Sequence, residues 1–289
     1  MIAATAPTQA PVAGATRIRI RQTGWRTIVL YLVVSTALLV LLTQIGRIPW
    51  LPHTFAGLPW RENLVAYAVH LAIGVGVVIF LVGGLRPADL GLRGGLLQGI
   101  LVTAAVWFLM QVATAVPEIL LHGRVAVNPA WGTAGVVPTV FWAFVMVFGA
   151  ALYEEIAYRG FLFSQLYLNL RGSHRRRFWT ALVVSQIVFA LGHVPGHIVL
   201  RHLTGAPLLS QVALQCLAGV LLLLLYLRTR NLWISIGMHG LFNAPTPLFA
   251  GNTPVEFFLI VLVIGWPWLA RRPPAERFTL ARVEAASDD

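Results

Sequence analysis

Three short motifs place groups capable of acid–base chemistry inside apolar segments of this 289-residue chain. The motifs are Glu154-Glu155-x-x-x-Arg159, Phe189-x-x-x-His193 and His239-x-x-x-Asn243. A spacing of four residues is about one helical turn, so the two ends of each motif share a helix face. Carboxylates and imidazoles that meet in one cavity could activate a water molecule and stabilise a developing negative charge.

The two adjacent carboxylates are predicted to have different roles. At about 100° per residue, Arg159 lies about 40° around a helix from Glu155 but about 140° from Glu154. Arg159 is therefore the expected partner of Glu155, and this pairing would hold Glu155 ionised and fixed. Glu154 is left to accept a proton from water.

The histidines and the asparagine complete a predicted hydrolytic site. His193 is expected to orient the same water or to help deprotonate it, while His239 and Asn243 offer N–H donors to a carbonyl oxygen under attack. Phe189 on its own is interpreted as a core residue. Each polar residue taken singly has a structural explanation, since a lone membrane histidine usually hydrogen-bonds a neighbouring helix. Six such side chains on three spans are hard to explain by packing alone.

Composition identifies a membrane protein. Hydrophobic residues make up 58% of the chain and charged residues 11%, with a mean hydropathy of +0.78. No soluble globular class combines those values. The formal net charge is +11, but every cation is an arginine and the arginines cluster at the ends of apolar runs. Juxtamembrane charges have that distribution, and we therefore predict no nucleic-acid binding.

Hydropathy predicts an all-α polytopic membrane bundle of about eight spans. The predicted spans are Thr27–Ile45, Leu64–Val82, Leu96–Val116, Val136–Leu170, Phe178–His193, Leu208–Leu227, Leu232–Ala250 and Val255–Ala270. With the amino terminus in the cytosol, sixteen arginines lie on the cytosolic side and four outside, which are Arg47, Arg61, Arg124 and Arg201. The positive-inside rule therefore predicts that both termini are cytosolic.

The predicted domain organisation has three parts. Residues 1–24 are predicted to be a disordered basic tail, residues 25–270 a transmembrane domain with its catalytic core at about 136–247, and residues 271–289 a cytosolic carboxy-terminal tail. The chain contains no lysine and is rich in alanine and valine, a composition that suggests a GC-rich bacterial genome. We therefore expect an integral protein of the bacterial cytoplasmic membrane.

The fourth predicted span is too long for a simple crossing. Its 35 residues would form a helix of about 52 Å, against a hydrocarbon core of about 30 Å. It must bend, break or project, and Pro138 and Gly160 are the expected places for a bend or break. Glu154 and His193 also lie further from the cytosolic helix ends than His239 does. We therefore expect the fourth and fifth spans to project as a cytosolic hairpin, and a cavity that is reached from the cytosolic side.

The three motifs resemble those of the CPBP family of intramembrane endopeptidases, also called the Abi family, which includes the CAAX prenyl proteases. The resemblance covers roughly Val136 to Pro247, and all three family motifs are filled. It implies proteolysis of a membrane-associated protein or peptide near the membrane surface. By the same resemblance, Glu154 and His193 would activate water, and His239 and Asn243 would stabilise the oxyanion.

Metal dependence is left open by these residues. Glu154 with His193 and His239 would make a plausible zinc site of two histidines and one carboxylate, while a metal-free mechanism would use the same side chains. His197 follows His193 by four residues, but Pro195 and Gly196 are expected to interrupt the helical turn.

Two other functions remain as alternatives. In a proton-coupled transporter, Glu154, Glu155 and Arg159 would form a relay. A non-catalytic membrane scaffold or bacteriocin-immunity protein would keep the fold without cleavage. The oligomeric state is not predicted.

Overall fold

The computed structural model describes residues 17–42, 61–92, 94–251, 255–272, 280 and 282–286. Within these ranges the chain is a bundle of helices with one two-stranded sheet. The helices are α1 (Trp25–Leu42), α2 (Arg61–Val69, continued by the π-helix His70–Val82), α3 (Leu96–His122), α4 (Val136–Asn169), α5 (His174–Leu191), α6 (Val194–Arg201), α7 (Gly205–Thr229), α8 (Leu232–Asn243) and α9 (Val255–Leu269). The strands are β1 (Arg17–Ile20) and β2 (Arg282–Ala285), and single helical turns occur at Pro87–Leu90 and Ala130–Thr133.

The predicted class, an all-α polytopic membrane bundle, is confirmed. Six of the described helices are long and apolar enough to cross a membrane: Trp25–Leu42, Asn63–Val82, Leu96–His122, Val136–Asn169, His174–Arg201 and Gly205–Thr229. The 12 residues of α8 and the 15 of α9 correspond to about 18 Å and 22 Å, less than the roughly 30 Å of the hydrocarbon core. The eight-span count, the cytosolic termini and the domain boundaries stay predictions.

Helix α4 is continuous over 34 residues and does not break at Pro138 or Gly160. It contains two π-helical stretches, Met146–Ala151 and Glu155–Phe163. Pi-helical turns inside an α-helix are rare and frequently mark functional sites. The second stretch contains Glu155 and Arg159, so the irregular part of the helix coincides with the first polar motif.

One end of the bundle, here called the terminal end, holds the first and the last described strands together. Strands β1 and β2 pair in parallel, with Ile20 opposite Ala285. The backbone N–H of Thr23 donates to Gln165 of α4 at 2.8 Å, and Asn169 at the end of α4 donates to the Thr23 carbonyl at 2.9 Å. The starts of α1 and α5 and the ends of α4 and α7 therefore lie at the terminal end.

Only part of the predicted disordered tail, residues 1–24, can be compared with the structure. Residues 1–16 lie outside the described residues, whereas Arg17–Ile20 is a strand rather than a disordered segment. This strand forms because it pairs with β2, which is distant in sequence. It also buries Ile20, which is 0% exposed, in the same hydrophobic cluster as Val283 and the core around α4. Neither feature can be read from the basic composition of this segment.

The opposite end of the bundle, here called the far end, is closed by the segment that follows α8. Trp107 of α3 donates its indole N–H to the carbonyl of Thr246 at 3.2 Å, and Trp131 donates to the carbonyl of Pro247 at 2.8 Å. The N–H of Ala250 donates to the carbonyl of Ala126 at 2.9 Å. The chain after α8 thus rises along α3 towards the far end.

Small residues set the position of α8, which carries the third polar motif. A Cβ atom at Gly99 of α3 would lie only 2.9 Å from the backbone carbon of Trp233, so this glycine allows close contact between α3 and α8. On the other side, Gly240 of α8 packs directly against Val147 of α4. Such small-residue contacts let membrane helices approach closely. They hold α8 against α4 at the level of Glu154 and Glu155.

Candidate active site

The three polar motifs meet at one place in the bundle. Glu154 lies in α4, His193 directly after α5, and His239 in α8. The Glu154 Oε2 atom is 3.9 Å from His193 Nε2 and 3.5 Å from His239 Nε2. Asn243, the last residue of α8, lines the same cavity as Glu154 and His193. The structure therefore brings together all of the predicted site residues that were assigned to water activation and oxyanion stabilisation.

Glu155 forms a buried charged cluster behind Glu154. Its Oε1 atom is 3.1 Å from Arg159 Nη1, and both side chains are 0% exposed. The same oxygen accepts a hydrogen bond of 2.8 Å from Nδ1 of His239. Because an ionised carboxylate can only accept, this contact assigns the Nδ1 proton to His239 and turns its Nε2 atom towards Glu154. Glu155 thus links the arginine to the Nδ1 side of His239 and leaves Nε2 directed towards Glu154.

His193 is oriented in the same way by a backbone acceptor. Its Nδ1 atom donates to the carbonyl of Phe189 at 2.9 Å, one helical turn earlier. The four-residue spacing of the second motif produces this contact. Both imidazoles therefore have Nδ1 engaged away from the cavity and Nε2 directed at the same carboxylate oxygen of Glu154.

The Phe189 ring packs against three of the site residues, Arg159, His193 and His239, a role that the sequence analysis did not assign to it. The Arg159 guanidinium carbon lies 4.3 Å from the ring centroid. The His193 and His239 rings lie at 4.8 Å and 6.3 Å from it, centroid to centroid. Phe189 is 1% exposed, so these contacts fix its position. The ring therefore sets the spacing of the arginine and the two histidines.

Solvent exposure separates the reactive groups from the supporting ones. The side chains of Glu154 and His193 are 12% and 27% exposed, whereas Glu155 and Arg159 are fully buried. Glu154, His193 and Asn243 line a cavity of about 470 Å³. Such a volume lies within the usual range for ligand pockets. A substrate in this cavity would contact Glu154 and His193 and would not reach the Glu155–Arg159 pair.

Two further histidines line this cavity. His197 is 4% exposed, and its ring lies 6.3 Å from that of His193. Its spacing from His193 was the available signal, but the interruption expected from Pro195 does not occur. The proline occupies the first turn of α6, where its missing N–H is harmless, and the His197 N–H donates to the His193 carbonyl at 3.0 Å. His70 of α2 also lines the cavity. It belongs to none of the three motifs, so the sequence gives no signal for it and tertiary packing alone brings it there.

The donor types of this site suit zinc, but their present arrangement does not form a metal site. Two imidazole Nε2 atoms and a carboxylate are a common zinc ligand set. Within the residues that the structure describes, however, no group of three His, Cys, Asp or Glu side chains is arranged to hold a metal ion. Glu154 Oε2 and Glu155 Oε2 are both buried without a hydrogen-bond partner among the described residues, and the Glu154 atom is the one 3.5 Å and 3.9 Å from the two imidazole Nε2 atoms. We therefore derive no catalytic step through a metal.

Comparison with known protein families identifies the segment that carries this site. Residues 135–245 match the family described as type II CAAX prenyl endopeptidase Rce1-like. The matched segment is similar to this family. It contains all three motifs and spans less than half of the chain. Neither the curated proteins nor the solved structures contain a significant match.

This family match confirms the resemblance that the motifs indicated and supports a coarse functional statement. An Rce1-like segment supports a CAAX-protease-like intramembrane endopeptidase, that is, a hydrolase. The six long apolar helices make the chain an integral membrane protein, whose surroundings include the lipid bilayer. The roles of individual residues, the substrate and the host membrane are finer questions.

Proposed function

We propose that the protein hydrolyses a peptide bond of a membrane-associated protein or peptide, with Glu154 as the base that activates water. The observation that carries this proposal is the convergence of two imidazole Nε2 atoms on Glu154 Oε2, at 3.5 Å and 3.9 Å, in the wall of a cavity. A purely structural ion pair would not need two histidines whose Nε2 atoms both point at one partly exposed carboxylate.

The distances to Glu154 define where the water would bind. Separations of 3.5 Å and 3.9 Å are too long for direct hydrogen bonds but suit a bridging water molecule. The water would donate one proton to Glu154 Oε2 and the other to His193 Nε2. Its oxygen lone pair is then directed into the cavity, where it attacks the carbonyl carbon of the substrate as Glu154 takes the first proton.

Stabilisation of the tetrahedral intermediate is assigned to His239 and Asn243. In this scheme His239 is an imidazolium throughout the cycle, so its Nδ1–H donates to Glu155 and its Nε2–H is available to the oxyanion. Glu155, held by Arg159, balances the positive charge of the imidazolium. The side-chain amide of Asn243 supplies a second N–H donor.

Collapse of the intermediate completes the reaction. The carbon–nitrogen bond breaks, and the proton taken up by Glu154 passes to the leaving amine, so that one water and one amide give one carboxylic acid and one amine. Glu154 returns to its ionised form. Glu155 and Arg159 do not touch the reacting atoms in this scheme and act as positioning residues.

We further propose that the host membrane is the bacterial cytoplasmic membrane. The lysine-free, alanine- and valine-rich composition supports this assignment. Prenylated CAAX proteins would be unexpected there, so the substrate is proposed to be another membrane-associated protein or peptide.

The experiment that tests this function compares membrane peptides from cells that produce the wild-type protein or its Glu154→Gln variant. Glu256→Gln is the matched control, because Glu256 is an exposed carboxylate in the apolar helix α9. We expect specific cleavage products in wild-type and Glu256→Gln cells, and their loss in Glu154→Gln cells with equal protein in the membrane. Products that persist in the Glu154→Gln cells would refute the role of Glu154. A solute flux lost instead of cleavage would identify a transporter, and a loss of neither would identify a scaffold.

A further inference from the structure

The charged residues of the bundle are distributed unequally between its two ends. Twelve described arginines lie at the terminal end, in β1, at the helix ends or in the loops there: Arg19, Arg21, Arg26, Arg86, Arg171, Arg175, Arg176, Arg177, Arg228, Arg230, Arg271 and Arg272. Among arginines whose side chains are described, the far end has Arg124 and Arg201. An arginine-rich end of this kind faces the cytosol in most membrane proteins.

Most of the residues that line the catalytic cavity come from the far half of the bundle. Helix α7 adds Gln215, and α4 adds residues along its middle: Trp142, Met146, Tyr153, Glu154 and Tyr158. From α1 and α2 it takes the residues nearest their far ends, Ser35 to Leu42 and Asn63 to His70. From the α5–α6 junction it takes Gly192 to Arg201, and from α8 its last residue, Asn243. Arg201 is exposed and lies at the far-end rim. Among the described residues of the loops and strands at the terminal end, none contributes to this cavity.

The path from the site to the terminal end is filled with protein. Beyond Glu154 along α4, the side chains of Glu155, Arg159, Phe161 and Gln165 are all 0% exposed. Gln165 in turn hydrogen-bonds the backbone near β1, as its amide donates to the carbonyl of Arg21 at 2.9 Å. A substrate approaching from the terminal end would therefore meet fully buried side chains of the core.

From these three observations we infer that the catalytic cavity opens towards the extracytosolic face of the membrane. The sequence-based expectation was the reverse, a cavity reached from the cytosol. This inference rests on the proposed function. Together the two restrict the substrate to a chain segment presented at the extracytosolic leaflet. A translocated or secreted membrane-associated peptide has that location, whereas a cytosolic protein anchored by its carboxy terminus does not.

Cysteine accessibility can test this sidedness without any measurement of cleavage. In a Cys216→Ser background, Gly196→Cys would place a thiol in the cavity wall, where a Cβ atom meets nothing within 4 Å. Arg201→Cys marks the rim and Arg171→Cys, an exposed residue between α4 and α5, marks the terminal end. Each variant is treated with a membrane-impermeant maleimide in intact cells and in inverted membrane vesicles.

We expect Gly196→Cys and Arg201→Cys to be labelled in intact cells, and Arg171→Cys to be labelled only in inverted vesicles. Labelling of Gly196→Cys and Arg201→Cys only in inverted vesicles would overturn the inference, as would labelling of Arg171→Cys in intact cells. Repeating the labelling with Glu154→Gln present separates the two proposals. An unchanged pattern in that variant supports the sidedness even if the protein proves not to be a protease.

Discussion

Replacing Arg159 by methionine should destabilise the protein by about 3–5 kcal/mol, because it leaves Glu155 as a buried charge without its cation. The Coulomb attraction at the observed 3.1 Å is about 5 kcal/mol at an effective dielectric constant of about 20. Loss of the guanidinium contact with the Phe189 ring, at 4.3 Å, would add to the effect. Since most domains are stable by only about 5–15 kcal/mol, much of the folded margin would be lost.

The double variant Arg159→Met/Glu155→Gln provides the control for this prediction. Removing both charges eliminates the unpaired carboxylate, so we expect the double variant to recover a large part of the lost stability. Both variants are compared with wild type by unfolding in mixed micelles of increasing denaturing detergent. The reasoning is refuted if Arg159→Met costs less than about 1 kcal/mol, or if the double variant is no more stable than the single one. Activity should stay low in the double variant, because His239 there loses its charged acceptor, Glu155.

Three further predictions address positioning, packing and metal. Phe189→Leu should lower kcat by about tenfold or more, because small displacements of catalytic groups are costly. The exposed Phe144→Leu is the control. An unchanged kcat in Phe189→Leu would contradict the role of this ring in spacing the site residues. Gly99→Ala should destabilise the protein by about 1–3 kcal/mol, because the added methyl overlaps Trp233. In the same unfolding assay, Gly265→Ala, which has open space, should be neutral or stabilising, and equal effects of both changes would refute the packing argument. Purified protein should cleave its substrate after exhaustive dialysis against a zinc chelator, and activity restored only by added zinc would require a metal mechanism instead.

The spacing of the motifs was sufficient to predict which polar side chains share a helix face. It also predicted the pairing of Arg159 with Glu155, because that contact depends on the geometry of a single helix. The proton positions on the two histidines could not be predicted in this way. They depend on the Phe189 carbonyl and on Glu155, and the second of these contacts requires two helices to pack together.

The depth of the site was the least predictable feature from sequence. From their positions along the helices, Glu154 and His239 could not meet if all helices began at one plane, and the sequence analysis therefore predicted a projecting hairpin. In the structure, α4 extends to Asn169, which bonds the chain near Thr23, whereas α8 begins beside the start of α3, where Asn231 donates to the Gly95 carbonyl. The helices are therefore staggered, as the projecting-hairpin hypothesis requires. No membrane boundary is fixed by these contacts, so the projection itself stays a prediction.

Labelling along α4 would not be a good test of that projection. Phe161, Phe163 and Gln165 are buried within the protein, and a thiol there would be protected in either case. The exposed Arg175 and Arg176 at the start of α5 are better positions. A water-accessible thiol at both of them and at Trp179, which is 53% exposed, would support a hairpin that extends beyond the bilayer.

The most direct test of the account is the turnover of a cleaved peptide by purified protein in liposomes, with and without the Glu154 carboxylate. The account predicts that Glu154→Gln lowers kcat by about 10²-fold to 10⁴-fold, the usual contribution of a general base, with membrane insertion unchanged. Cleavage by Glu154→Gln at the wild-type rate would contradict the claim that this carboxylate, with His193 and His239 around it, activates the attacking water.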